Sequence, residues 1–470
     1  MCAGTSVWTK TSSIRAACDV PIGGDADHSL SQCAPSHLRV LKVTQSYYPF
    51  LDGGGPAVKV RALARGLAQR GHAITVLTSD LGIASAANRT ASITRIPEGW
   101  HCNEDGVETL YLSARGGYRS LTWNPGVFSF CSERLKSFDI VHIYGTYDLL
   151  GPIVARACRR NAIPYVIEPM GMFRPMLRNI ALKSLYRRLL GESVVGGAAR
   201  LVATSLQERR ELIEEGIAPA RIAIRRNGIE LPEMSRAPGK FRREWKIPED
   251  ALLVLFLGRI VGKKSPDLLL EAFGQWRRGT PGAAQHSVLV LAGPSENAGY
   301  VQKLRKEVQR LRLGEAVRFT GALYDDAKWS ALADADIFVL PSQNENFGNA
   351  AAEAVACGTP VVITDRCGIA PLIENRAGLV IPHEREALVR ALRQLSDSGL
   401  RERMKLVCLE VARGLGWEQP LTETEALYAE LLSNLGPARR KSGGAARKAQ
   451  CEAPEGGIRR EPQRQVRLEK

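Results

Sequence analysis

Several familiar signals are missing from this sequence, and each absence narrows the reading. No run of 18 apolar residues occurs in the 470-residue chain, so no membrane-spanning helix is expected. Residues 1–37 lack the continuous apolar segment of a secretory signal, and a cytoplasmic location is the expectation. The ten cysteines show no C-x-x-C spacing; several lie in apolar surroundings and read as small buried hydrophobes in a reducing compartment. There is no Asp-x-Asp at a strand end and no histidine pair at ligand spacing, so no metal site and no cofactor are predicted. Neither a Walker loop nor a full G-x-G-x-x-G is present.

Positive charge, by contrast, is plentiful. The net charge of +15 suggests an anionic partner, but it is unevenly spread. Residues 436–470 carry ten Lys/Arg against four Glu, contributing +6, and are poor in large apolar side chains. That composition predicts a disordered basic tail, either inert or in contact with nucleic acid or anionic lipid. Residues 1–37, of mixed polarity and little periodicity, are expected to be a disordered extension. The length calls for more than one core. The apolar fraction of 44% is ordinary for a soluble globular protein.

The most informative stretch is Ile337–Asp365. Ile337-Phe338-Val339-Leu340 has the composition of a buried parallel strand, ended by Pro341-Ser342. Gly348 precedes a run of strong helix formers from Asn349 to Ala356. Gly358 suits a left-handed helix terminus, and Val361-Val362-Ile363 read as the next strand. In such strand–loop–helix–strand units, ligands bind beyond the strands' carboxyl ends. The free N–H groups near Phe347, Gly348 and Asn349 form a ready anion site. Glu353, one turn further along, could accept two hydrogen bonds from a ribose diol, although an ordinary helix with a solvated glutamate would look the same.

Order is predicted to begin with a strand at 38–43, followed by Asp52-Gly53-Gly54-Gly55-Pro56 and a helix over 57–70. A glycine triplet there frees the backbone to approach a phosphate or sugar, and a tight turn is equally compatible. Further strands are expected at 73–78, 108–113, 139–144, 164–169, 200–205 and 221–226, with His142 and Tyr144 ending one of them near the crevice or in the core. Residues 174–190 form a basic helix with an apolar stripe of Leu177, Ala181, Leu185 and Leu189, which reads as a solvated face or as a surface for anionic membrane. A second alternation of strands and helices starts at 252–257 and continues at 288–292, 317–320, 337–340, 361–364 and 378–381. Arg259 ends its first strand and Lys264 stands at the entry to the next helix; both could reach a pyrophosphate in the crevice.

Glu345, Phe347, Gly348 and Glu353, with Pro341-Ser342 before them and Cys357-Gly358-Thr359-Pro360-Val361 after, resemble the paired-glutamate signature of the family 4 retaining glycosyltransferases. The resemblance spans roughly residues 39–435 and is strongest at 252–267 and 319–382. It implies the GT-B fold: two Rossmann-like parallel-sheet α/β domains facing an interdomain cleft, an acceptor domain over 38–230 and a nucleotide-sugar donor domain over 246–415. It also implies a crossover helix at 416–435, hinges near 231–245 and before Trp417, and a glycine loop (Gly54, Gly55) lying against donor and acceptor.

By the same resemblance Arg259 and Lys264 clamp the donor diphosphate, Glu345 holds hydroxyls of the transferred sugar, and Glu353 holds the ribose. A saccharide or lipid-linked acceptor, retention of configuration and metal independence are implied too, with polysaccharide or glycoconjugate biosynthesis as the setting. Two departures from the pattern stand out. Ser265 replaces a usual Gly, and Met170 stands where a His or Arg is common; Glu168 and Arg174 are candidates to supply the polar contact that methionine cannot make.

Two rival readings use the same crevice: a nucleotide-sugar epimerase and a non-catalytic nucleotide-sugar binding protein. A nucleic-acid binder would need a recognisable reading module and charge gathered on a folded element, and neither is found.

Overall fold

The computed structural model describes residues 37–49, 55–81, 83, 93–118, 121–173, 184–232, 238–280, 282, 284–295 and 297–434. The amino-terminal extension, the basic tail, Gly54, Arg174 and residues 175–183 of the expected basic helix lie outside them.

Eleven strands precede the middle of the chain: β1 (Arg39–Thr44), β2 (Ala73–Ser79), β3 (Ile93–Ile96), β4 (Gly99–Glu104), β5 (Val107–Leu112), β6 (Gly117–Tyr118), β7 (Leu121–Thr122), β8 (Ile140–Tyr144), β9 (Tyr165–Glu168), β10 (Arg200–Ala203) and β11 (Ile222–Ile224). Nine of them form one sheet in the order β11-β10-β9-β8-β1-β2-β5-β4-β3, while β6 and β7 pair separately. Seven strands, β11 through β5, run parallel. The sheet is not parallel throughout, because β4 turns back antiparallel on β5 and β3 on β4. This hairpin was not anticipated. Apart from Gly99 and Cys102 its residues, such as Arg95, Trp100 and His101, are exposed or half-buried, without the unbroken apolar run that marks a strand covered on both faces.

The second sheet is parallel throughout: β12 (Leu252–Leu257), β13 (Ser287–Ala292), β14 (Val317–Gly321), β15 (Ile337–Leu340), β16 (Val361–Thr364) and β17 (Gly378–Ile381), in the order β14-β13-β12-β15-β16-β17. Every residue of β13, β15 and β16 is buried, as expected of strands covered by helices on both faces. The helix Pro266–Gly279 turns Leu269, Leu270, Phe273 and Trp276 into this core.

Each sheet has one place where the strand order reverses, between β1 and β8 in the first and between β12 and β15 in the second. Loops leaving the carboxyl ends of such neighbouring strands diverge and open a crevice. The glycine loop follows β1; the loops bearing Arg259 and Lys264, and Glu345, follow β12 and β15.

The last described helix, Glu418–Ser433, packs on the helix Gly55–Gln69 of the first sheet. Arg70 pairs with Glu418 and Glu425 there, and Arg200 with Glu430. In the basic segment Leu185, expected in a packed stripe, is exposed, whereas Tyr186 donates to the Asp148 carbonyl and its ring lies 5.5 Å from that of Tyr147. The backbone of Arg187–Gly191 is π-helical, which shifts the register a regular helix would keep.

Candidate active site

After β12 the chain makes a single 3-10 turn, Gly262–Lys264, and then starts the helix Pro266–Gly279. Ser265 joins the two in the left-handed region (φ 50°, ψ 47°), which accounts for the glycine usual there. Its hydroxyl shares a 2.9 Å hydrogen bond with Nε2 of His383, a local compensation for the backbone strain.

The turn sends Lys264 inward, where its ammonium pairs with Oε2 of Glu345. Burial, together with the nearby charges of Lys263 and Arg259, pulls the Lys264 pKa down to about 8.

Glu345 lies in a short extended segment bridged to Cys367. Its N–H donates to the Arg366 carbonyl (2.8 Å), and its carbonyl accepts from Gly368 N–H (2.9 Å). Phe347 is buried and anchors the loop. Gly348 then adopts φ 104° and ψ 51°, open to glycine alone at low cost, to start the helix Asn349–Ala356. Because no side chain caps this helix, its first N–H groups face the crevice. Glu353 sits one turn on and accepts from Lys328 Nζ at 2.9 Å. Burial raises its pKa against the pull of Lys328, and Glu230 adds to the rise.

The first domain reaches this helix directly. Asn227 Nδ2 donates to Asn349 Oδ1 at 3.3 Å, and a Cβ on Gly55 would lie 3.4 Å from Asn349 Nδ2. Lys264, Glu345, Gly348, Asn349 and Gly55 are thus neighbours at the opening expected where the strand order reverses, Arg259 bears electrostatically on Lys264, and Glu353 follows one turn into the helix.

His142 and Glu168 do not belong to this opening. They are 1% and 0% exposed and lie inside the first domain. Glu168 is held by Lys59 and Arg225, while His142 Nδ1 meets the Tyr428 hydroxyl at 2.7 Å and its ring stacks on Tyr144. Lys42, across from His142 in β1, donates to Tyr144 Oη at 2.8 Å. Both carboxylate oxygens of Glu168 are engaged by cations, which corrects its candidacy as a sugar ligand. The position of His142 at a strand end suggested the crevice, yet its side chain points into the layer beneath the final helix.

Lys328, Asn227, Asn344 and Asn346 were not singled out from the sequence. Lys328 lies in a helix (Asp325–Asp334) whose polar pattern gives no hint of a partner 25 residues later. Asn227 opens an Asn-Gly pair that reads as a turn alone. Among the described residues no group of three or more His, Cys, Asp or Glu is arranged to hold a metal ion, and no helix is long and apolar enough to cross a membrane.

Comparison with known proteins shows the family to which the chain belongs. The family profile described as glycosyl transferases group 1 matches residues 239–406, and that described as a glycosyl transferase 4-like domain matches residues 54–228. A D-inositol 3-phosphate glycosyltransferase of Kribbella flavida is 31% identical over 401 residues, covering 80% of this chain and 91% of that protein. The chain belongs to glycosyltransferase family 4. A second D-inositol 3-phosphate glycosyltransferase, from Kineococcus radiotolerans, is 32% identical across 80% of this family 4 enzyme and 90% of its own length.

Solved structures share the fold at lower identity. Anabaena Alr3699/HepE in complex with UDP-glucose superposes with a TM-score of 0.64 at 18% identity, covering 85% of this chain and all of the other. WaaG, a glycosyltransferase involved in lipopolysaccharide biosynthesis, gives 0.57 at 19%, covering 84% and 99%. In the present chain the group 1 profile takes in the sheet β12–β17, and the 4-like profile ends just beyond β11.

Proposed function

We propose that this family 4 enzyme transfers a sugar from a nucleoside-diphosphate sugar to a hydroxyl of a saccharide or lipid-linked acceptor, with retention at the anomeric carbon and without a metal ion. The observation that carries the reading is the gathering of two cations and an uncapped helix start around Glu345, at the strand-order reversal of the second sheet. Arg259, Lys264 and the amides at Gly348 and Asn349 would hold the diphosphate, and Glu353 the ribose. Glu345, paired with Lys264 here, would accept hydrogen bonds from hydroxyls of the moving sugar.

In the reaction the C1–O bond to the β-phosphate breaks, and its electron pair passes to the departing phosphate oxygen. The acceptor oxygen bonds to C1 on the same face and gives its proton to that phosphate. The cations and amides offset the charge as it develops, the role a metal plays elsewhere; losing one such contact raises the barrier by about 3–4 kcal/mol. The resemblance of the sequence and the UDP-glucose held by the structurally similar Anabaena Alr3699/HepE support this donor class. The basic composition of residues 174–190, with Leu185 exposed, fits an acceptor presented at an anionic lipid surface.

The test is release of nucleoside diphosphate from UDP-, GDP- and ADP-sugars in the presence of EDTA, with the anomeric configuration of the product read by NMR. Inversion, or activity lost to EDTA and restored by a divalent cation, would overturn this mechanism.

A further inference from the structure

The extended segment that carries Glu345 alternates its side chains, as strand-like backbone does. Glu345 turns back toward Lys264 in its own domain, while its two neighbours reach across to the first domain. Asn344 Nδ2 donates to Glu211 Oε1 at 2.9 Å, and Asn346 Nδ2 donates to Thr204 Oγ1 at 2.6 Å. Thr204 passes its own proton on, donating from Oγ1 to Glu208 Oε2 at 2.8 Å.

Glu208 is 1% exposed and braces the receiving surface. The same Oε2 accepts Thr204 N–H at 2.7 Å, and Oε1 accepts Gly171 N–H at 2.6 Å. Gly171 stands so close that a Cβ there would lie 3.0 Å from Asn346 Cβ. On the far side of the segment, a Cβ on Gly368 would fall 2.0 Å from the Asn346 carbonyl oxygen. The segment is thus held from both domains at once.

We infer that Asn344 and Asn346 are positioning residues that tie the placement of Glu345 to closure of the two domains, so that the donor site is complete only when the acceptor domain is docked on it. Contacts that bridge two domains break when the domains part, and the loop then keeps its bonds within the second domain: the backbone pairs with residues 366–369, Gln343 N–H to the Lys263 carbonyl, and the Lys264–Glu345 ion pair, which without Asn344 and Asn346 no longer has its backbone braced from the far side. Water is excluded at the moment the glutamate is set, which links transfer to protection of the donor from hydrolysis. This inference rests on the proposed role of Glu345.

The test is a pair of double-mutant cycles in the full-length enzyme. Asn346→Ala and Thr204→Val are expected each to lower kcat for UDP-, GDP- or ADP-glucose turnover about tenfold, with affinity for UDP, GDP and ADP changed less than about twofold. The double variant should fall no further, because one contact is lost in all three. Asn346→Asp, which cannot donate to Thr204, should be as slow as Asn346→Ala, and Thr204→Ser should restore activity. Asn344→Ala and Glu211→Ala, both at half-buried positions, give a second cycle should Thr204→Val fail to fold.

Losses that multiply, a kcat unchanged in Asn346→Ala, or a loss confined to nucleotide affinity would overturn the inference. Full turnover in Glu345→Ala would instead remove the reading beneath it, and that variant is outside both cycles.

Discussion

Lys264 and Glu345, 81 residues apart in sequence, form an ion pair where the loops after β12 and β15 diverge. Their side chains are 16% and 18% exposed, so each retains a path to solvent and to an incoming ligand. A diphosphate would take over the ammonium and sugar hydroxyls the carboxylate. The pair thus keeps both groups oriented and compensated until the donor arrives. Lys264→Ala and Glu345→Ala are each expected to lower kcat by about 10² to 10³. The fold should persist with a lowered melting temperature, since each variant leaves a largely buried partner charge without its counter-ion but with a path to solvent. Steady-state kinetics with thermal unfolding of the same preparations checks both parts.

The depressed Lys264 pKa, about 8, sets a pH dependence. Above that value the free enzyme loses the cation proposed to hold the diphosphate, so kcat/KM should decline as pH rises through about 8. Once the donor is bound, its negative charge favours the protonated amine, and the alkaline limb of kcat should lie at higher pH than that of kcat/KM. Coincident limbs in the two profiles would count against this assignment.

Glu353 and Lys328 are 2.9 Å apart behind the helix start. Hydrogen bonds from a ribose to a carboxylate are charge-assisted and contribute about 1.5–3 kcal/mol in total. Glu353→Gln should therefore raise the Kd of the nucleoside diphosphate about 10- to 100-fold while leaving kcat at saturating donor nearly unchanged. Calorimetric titration of the variant measures the first and initial rates the second.

The interior group around Glu168 predicts a stability effect separate from activity. Glu168→Gln leaves Lys59 and Arg225 buried without their shared anion, and a loss of about 3–5 kcal/mol in unfolding free energy is expected. Denaturant unfolding tests this, with nucleotide affinity of the folded fraction expected to stay as in the wild type.

His142 adds a pH term of definite sign. Burial, with Lys42, Arg225 and Lys59 nearby, holds its pKa well below 6.5. Below about 6.5 the unfolded chain takes a proton that the folded one refuses, so stability falls as pH drops through that range. In His142→Gln the slope of unfolding free energy against pH between 5 and 7 should flatten, as measured by urea titration at several pH values.

Much of this was legible in the sequence where a single physical cause dominates. β12, β15, β16 and β17 have the predicted bounds because unbroken apolar runs between turn residues leave little choice. That Arg259, Lys264, Glu345 and Gly348 follow strands at the reversal of strand order was readable in the same way, and their roles stand as the proposal above. The hairpin β3–β4 was missed because its half-exposed residues carry no such run. Strand-end position does not say which layer a side chain enters: His142 was open to crevice or core until Tyr428, 286 residues later, met its Nδ1, and Glu168 was drawn inward by Lys59 and Arg225. Asn344 and Asn346 could not be recognised as interdomain contacts, since polar loop residues acquire partners only through the arrangement of two domains.

The most direct test of the central claim is thermal unfolding of wild type, Arg259→Ala and Lys264→Ala against a panel of UDP-, GDP- and ADP-sugars. At about 100 times its Kd, the true donor should stabilise the wild type by about 2.7 kcal/mol and leave both variants largely unshifted at the same concentration. Equal stabilisation of all three proteins, or of none by any nucleotide sugar, would contradict a diphosphate held between these domains by Arg259 and Lys264.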